Sequence, residues 1–309
     1  MKSCIIFGGN GFIGSHLARG LVHNGYEVKV FDRFRSDNGN LADIKDDIEI
    51  IQGDFLNKDD VERALDGVDY LFHYISTTNP ATAVVDPVFD IRSNIVGSVQ
   101  LFQAAVDCGV KKIIYPSSGG TVYGETRGDL ISEDVPLKPQ NPYAISKVAI
   151  ENYLRYFHHA HDLQYLILRY SNPYGEYQNP NAKQGVIPIF LNKVKHGEQP
   201  IIFGDGSAVR DYIYIQDAID ATLACLDLPT KDAVYNIGSG QGVSLNQLVD
   251  IMSEVTGTSV QPRYESDYGI YVSRIVLDIS KISNATGWVP KTSINEGVLK
   301  TWDWITSLE

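Results

Sequence analysis

The first 170 residues alternate short β-rich runs with helical stretches, and this limits the fold more than any other feature of the chain. Strands are expected at residues 4–7, 27–32, 48–52, 70–75, 112–115 and 164–169. Helices are expected at 13–23, 61–65, 88–108 and 143–159. Strands joined through helices run parallel, with the helices covering both faces of the sheet. Gly25 and Gly109 fall where the first and third helices must stop. After Ser171 the character changes. Residues 172–185 are rich in Asn, Pro, Tyr and Gly, as a loop is. Helices at 186–196, 245–256 and 293–307, a strand at 201–203 and a strand-then-helix run at 212–226 complete a smaller, mixed region.

The 309 residues suffice for one large α/β unit or two smaller domains. A formal charge of −12 argues against nucleic acid or an anionic membrane as the main partner. It leaves room for an anionic small substrate, because a few local arginines outweigh the global field. No apolar run reaches the roughly 18 residues of a membrane span, and the chain reads as cytoplasmic. Cys4, Cys108 and Cys225 sit far apart in apolar runs and are expected to be buried, reduced thiols. His158, His159 and His161 cluster at a helix end, where a solvated C-terminus suits them better than a metal does.

Gly8, Gly11 and Gly14 are spaced G-x-x-G-x-x-G between the first strand and the first helix. Glycine lets the backbone turn tightly against a pyrophosphate, and the helix start offers free N–H groups with a positive dipole end. Asp32 ends the second strand. A carboxylate there accepts both hydroxyls of an adenosine ribose and repels a 2′-phosphate, so NAD is favoured over NADP. The adjacent Arg33 softens that preference. Asp54 and Phe55, after the third strand, are placed to meet adenine.

Tyr143 and Lys147 stand four residues apart at the start of a long helix, so both fall on one face. A phenol titrates near 10 and is a poor base at neutral pH. A neighbouring ammonium favours the phenolate and is expected to lower that value. Ser117 and Ser118 close the preceding strand, where a hydroxyl can bond a substrate oxygen. The set suits proton transfer coupled to hydride transfer.

With these motifs the chain resembles the extended short-chain dehydrogenase/reductase family, in its nucleotide-sugar epimerase/dehydratase branch and most nearly its UDP-sugar 4-epimerases. The resemblance runs through GGNGFIGSHL from Gly8, HYIS from His73, YPSSGGTVYG from Tyr115 and PYAISK from Pro142. It continues through RYSNPYG from Arg169, GDGSAVRDYIYIQD from Gly204, YNIG from Tyr235 and GWVPKTSINEG from Gly287. It implies an α/β fold: a Rossmann-type doubly wound parallel sheet over 1–170 plus 212–237. A smaller C-terminal α/β substrate-binding region would take 171–211 plus 238–309. Gly8, Gly11, Phe12, Ile13 and Gly14 would hold the pyrophosphate of NAD, with Tyr74 and Asn94 lining the cofactor site. Ser117, Tyr143, Lys147 and Tyr170 would also touch the cofactor. Asn172, Val186, Phe203, Arg210 and Tyr212 would hold a UDP-sugar or another nucleotide sugar, Arg210 facing its diphosphate. The family also implies a homodimer through a four-helix interface.

The stretch between Ser118 and Tyr123 narrows the reaction. It contains no acid, whereas the family's dehydratases carry an Asp-Glu pair there and its decarboxylating members a glutamate. What remains is oxidation and re-reduction at carbon 4. The alternatives are a 4-keto reductase or dehydratase on the same scaffold, or a non-catalytic nucleotide sensor. The hydroxyl that 4-epimerases usually carry falls here on Gly119, so Ser118, Thr121 or a water must replace it. The usual diphosphate arginine falls on Tyr268, and Arg274 is the candidate substitute. Near Ile275 the family sets the room for an N-acetyl group.

Overall fold

The computed structural model describes residues 2–34, 39–126, 128–182, 184–230, 233–266 and 272–308. Tyr268 lies outside them. The strands are β1 (Ser3–Phe7), β2 (Glu27–Asp32), β3 (Glu49–Gln52), β4 (Tyr70–His73), β5 (Lys112–Ser118), β6 (Gln164–Tyr170) and β7 (Asn172–Tyr174). They continue with β8 (Ile201–Phe203), β9 (Val209–Tyr214), β10 (Val234–Ile237), β11 (Gly242–Ser244), β12 (Arg263–Glu265) and β13 (Arg274–Ile275). The helices are α1 (Phe12–His23), α2 (Lys58–Leu65), α3 (Pro80–Val85), α4 (Pro87–Asp90), α5 (Gly97–Asp107) and α6 (Pro142–His161). After them come α7 (Val186–Lys195), α8 (Ile215–Ala224), α9 (Leu245–Thr256), α10 (Ser280–Thr286) and α11 (Ile294–Ser307).

Seven strands form a parallel Rossmann-type sheet in the order β3-β2-β1-β4-β5-β6-β10. Every side chain of β1 is buried, because this strand sits inside the sheet with helices on both faces. The chain winds outward from β1 to β3, then restarts at β4 on the other side of β1. The strand order therefore reverses between β1 and β4, and ligands of such sheets bind beyond the strand ends at that reversal. Gly8 follows β1 and Tyr74 follows β4. They lie so close that a Cβ on Gly8 would meet the Tyr74 carbonyl carbon at 3.0 Å.

Contacts divide the chain into two compact units. The first is Met1–Val122, Pro139–Arg169 and Thr222–Tyr235; the second is Tyr123–Lys138, Tyr170–Ala221 and Asn236–Glu309. The sequence division differs from this over residues 123–138, 170, 212–221 and 236–237. In the second unit β9 is the hub, pairing β7, β11 and β13, and α11 packs on α7 and α9. The short strands β7 and β11 to β13 give no period to read, and the sequence did not show them.

Two expectations need correction. The helix read over 88–108 is not one regular helix. It comprises α4, a π-helical stretch at Ile91–Val96, and α5. Its wide turn buries Ser93 and Asn94, and π turns of this kind gather at functional sites. Cys4 and Cys225 are buried, but Cys108 is exposed, because it caps the C-terminus of α5.

Candidate active site

The cofactor turn is built from backbone alone. Gly8 takes φ +87°, and Gly14 packs so tightly that a Cβ would lie 2.3 Å from the Gly8 carbonyl oxygen. Gly11 is the N-cap of α1 and offers no side chain to its first-turn N–H groups. These groups are left to an outside acceptor, as a pyrophosphate would be. The Asp32 carboxylate, half-buried at the end of β2, accepts from the Asn10 N–H at 3.1 Å and the Arg33 N–H at 2.7 Å. The residues thus fit a dinucleotide. Arg33 turns from Asp32 to pair with Asp54 at 2.8 Å. Phe55 is 5% exposed, with its ring packed against Phe7 and His73. Its side chain therefore belongs to the core, and only its backbone is left for adenine.

Helix α6 carries the chemistry. Asn141 caps it, its Oδ1 accepting from the Ala144 N–H at 2.9 Å, and Pro142 opens the first turn. Asp162 closes it in the left-handed region, at φ 55°. Lys147 is buried and donates to the Pro116 carbonyl at 2.9 Å. Its Nζ lies 4.8 Å from the Tyr115 ring centre and 5.6 Å from that of Tyr143. The protein itself sets their titration against the expectation. Burial pushes the half-buried Tyr143 phenol up to about 12, with the Asp90 carboxylate adding to the rise. Burial also pulls the Lys147 ammonium down to about 8, against the pull of Glu151 and Asp90. Desolvation outweighs the attraction on which the spacing argument relied.

Tyr143, Lys147 and Asn94 line one small cavity together with Ile75, Ser76, Asp90, Tyr115, Ser146 and Ile150. Asn94 is fully engaged there. Its Oδ1 accepts from Thr77 N–H and Oγ1, and its Nδ2 donates to Thr78 Oγ1 and Asp90 Oδ1. It holds the loop after β4 rather than reaching out to a ligand. Tyr74 stands at the head of that loop, its N–H on the Phe7 carbonyl at 2.8 Å. Ser117 is also committed, since its Oγ donates to buried Glu151 at 2.6 Å. Glu151 in turn accepts from Arg169 Nε and Nη2. That removes Ser117 as a donor to a ligand. Ser118 is half-buried at the strand end, and the Thr121 Oγ1 is buried without a hydrogen-bond partner among the described residues.

Of the expected substrate residues, Thr121 lies in the first unit and the others in the second. Arg210 and Tyr212 alternate along β9 on one face, and Asn172 on β7 pairs with Tyr212 and donates from Nδ2 to the Asp211 carbonyl at 2.8 Å. Tyr212 and Tyr170 are buried, Phe203 is 41% exposed, and Val186 begins α7. Arg274 is paired with Val209, and Ile275 with Arg210. Paired residues of adjacent strands point to one side and successive residues to opposite sides. Arg274 therefore leaves β13 on the face opposite Arg210, and its Nε reaches the Asp129 carbonyl at 3.4 Å.

Asp90, Ser146 and Tyr115 were not singled out from the sequence. Asp90 did leave a signal: a lone acid among Val88, Phe89 and Ile91, four residues before Asn94.

The glycine turn, the strand reversal and the tyrosine–lysine helix define a dinucleotide-dependent enzyme scaffold. The model of the NAD dependent epimerase/dehydratase family matches residues 4–238, and the chain belongs to that family. A putative UDP-glucose 4-epimerase of Methanocaldococcus jannaschii is 35% identical over 302 residues, 97% of each chain. Among solved structures, the UDP-glucose 4-epimerase of Thermotoga maritima with UDP-glucose matches at TM-score 0.93. It is 35% identical, with 98% of each chain covered. The UDP-glucose 4-epimerase of Thermus thermophilus in complex with NAD matches at TM-score 0.90 and 32% identity, over 99% of this chain and 100% of the other.

Proposed function

We propose that this chain is an NAD-dependent 4-epimerase of nucleotide sugars, with a UDP-sugar as substrate. The observation that carries the reading is Tyr143 and Lys147 on one helix face, set in the same unit as a glycine turn shaped for a dinucleotide. When bound, NAD supplies a hydride acceptor that later returns the hydride. Once NAD is bound, the charges of Lys147 and the nicotinamide favour the Tyr143 phenolate, whose Oη takes the proton from the sugar 4-hydroxyl and gives it back to the re-formed hydroxyl on the other face. Lys147, anchored on Pro116, offers its charge to the phenolate. Ser118, with Thr121 as second candidate, supplies the hydroxyl absent at Gly119. The acid-free stretch from Ser118 to Tyr123 leaves no group for eliminating water, which supports epimerisation over dehydration.

Phe12, Ile13 and Gly14 hold the pyrophosphate by their N–H groups in this reading, and Asp32 holds the ribose. Asn172, Val186, Phe203, Arg210 and Tyr212 hold the nucleotide half of the sugar. The exposed apolar side chains Phe89, Ile91 and Val96, with Ile145, Tyr153 and Tyr156 of α6, support a homodimer through these helices. No helix among the described residues is long and apolar enough to cross a membrane, consistent with cytoplasmic work.

The test is a panel of UDP-galactose, UDP-glucose and their N-acetyl and uronic analogues. Interconversion of at least one pair is expected, with NAD retained through dialysis. Stoichiometric consumption of reduced cofactor would instead make the chain a 4-keto reductase.

A further inference from the structure

Asp90 is 1% exposed, yet no arginine or lysine forms an ion pair with it among the described residues. Its Oδ1 accepts from Thr78 Oγ1 and from Asn94 Nδ2 at 2.9 Å, and its Oδ2 accepts from Ser146 Oγ. Ser146 lies between Tyr143 and Lys147 on α6, and all four residues line the same cavity. A carboxylate in so dry a place is costly unless a positive charge answers it.

Lys147 is the cation that lines the cavity. The other buried acid of α6, Glu151, is already held by Arg169 at 2.7 Å and Arg155 at 3.3 Å. From β4, His73 adds no charge, because burial holds its pKa down at about 3. From β5, burial keeps the Tyr115 phenol protonated. Ser76, Thr78, Ser93 and Asn94 carry no charge. Asp90 and Lys147 are thus the opposite charges that line this cavity, and Tyr143 lines it with them.

We propose that Asp90 is a positioning residue of the catalytic site. It tethers the Tyr143–Lys147 turn through Ser146 and sets that turn's charge as the counter-ion of Lys147. This rests on the proposed 4-epimerase chemistry only for its activity readout. The sign is fixed whichever group controls a given limb of the pH profile. Asp90 raises the titration of Tyr143 and of Lys147 alike, so removing its charge lowers both.

The test is Asp90→Asn in the NAD-loaded protein, with Ser146→Ala as the comparison that keeps the carboxylate. In Asp90→Asn both limbs of the kcat profile are expected to move to lower pH, by on the order of one unit. In Ser146→Ala the rate is expected to fall while the limbs stay. The second readout needs no activity. The ultraviolet titration of Tyr143, taken as the difference from Tyr143→Phe, is expected to shift the same way in Asp90→Asn. If that variant does not fold, the same titration is read in Asp90→Ser. Limbs and tyrosinate titration that stay at their wild-type positions overturn the proposal, whatever happens to the rate. A wild type inactive on every sugar, with the tyrosinate shift present, sinks the epimerase reading and leaves this one standing.

Discussion

At the scale of single residues, burial decides the chemistry before any ligand arrives. Tyr143 is held protonated and the titration of Lys147 is brought down to about 8 by the same desolvation, which leaves Lys147 mostly charged at pH 7. A buried, neutral His73 has a consequence for stability. Its folded pKa, about 3, lies below the ordinary 6.5, so between those values the unfolded chain binds the proton and the folded one does not. Its contribution is complete above pH 6.5 and is lost as pH falls toward 3. Thermal midpoints are expected to drop as pH is lowered from 6.5 to 5, and His73→Phe is expected to flatten that drop. An unchanged slope in the variant would show that His73 charges freely in the fold. The Glu151–Arg169 pair is buried at both ends. Glu151→Ala removes the carboxylate that pairs with a buried guanidinium and is expected to cost about 3–5 kcal/mol in denaturant unfolding. A loss under 1 kcal/mol would show that water reaches Arg169. Tyr143 and Lys147 were legible in the sequence because their relation is local, four residues on a helix. Asp90 was not, because its partner Ser146 is 56 residues away. The commitment of Ser117 to Glu151, 34 residues on, was hidden for the same reason.

At the scale of elements, each part of the site hangs on a strand end or a helix start. The turn from β1 to α1 works only with glycine. In Gly14→Ala the new Cβ would press on the Gly8 carbonyl, so this variant is expected to purify with little or no NAD while its far-ultraviolet dichroism stays close to wild type. Full NAD content would refute the role given to the turn. Strands β1 to β6 could be read from the sequence, since each is a compact apolar run between helices. The π stretch at Ile91–Val96 could not, because its apolar spacing passes for that of a regular helix. Strands β7, β11, β12 and β13 are two or three residues long, too short to carry a period of two. Pairing with β9 or β8 specifies them, and that is a property of the folded chain. The same pairing separates Arg274 from Arg210, a fact of register that no spacing in the sequence discloses.

At the scale of the whole molecule, the parallel sheet, the strand reversal and the family follow from an ordered series of motifs that spans nearly the full chain. The net charge of −12 fits a small-molecule enzyme whose anion site is local. The exposed apolar side chains of Phe89, Ile91, Val96, Ile145, Tyr153 and Tyr156 bear on assembly. Sedimentation is expected to give a dimer, and Tyr153→Glu combined with Tyr156→Glu a monomer. A monomeric wild type would refute the dimer. The central claim is that Tyr143 moves a proton in reversible oxidation at carbon 4. Its most direct test is the rate of UDP-sugar interconversion by NAD-loaded wild type and Tyr143→Phe. The wild type is expected to turn over at least one 4-epimeric pair, and the variant to lose at least about 100-fold. A variant that keeps near-full rate, or a wild type that interconverts none of the pairs, would contradict it.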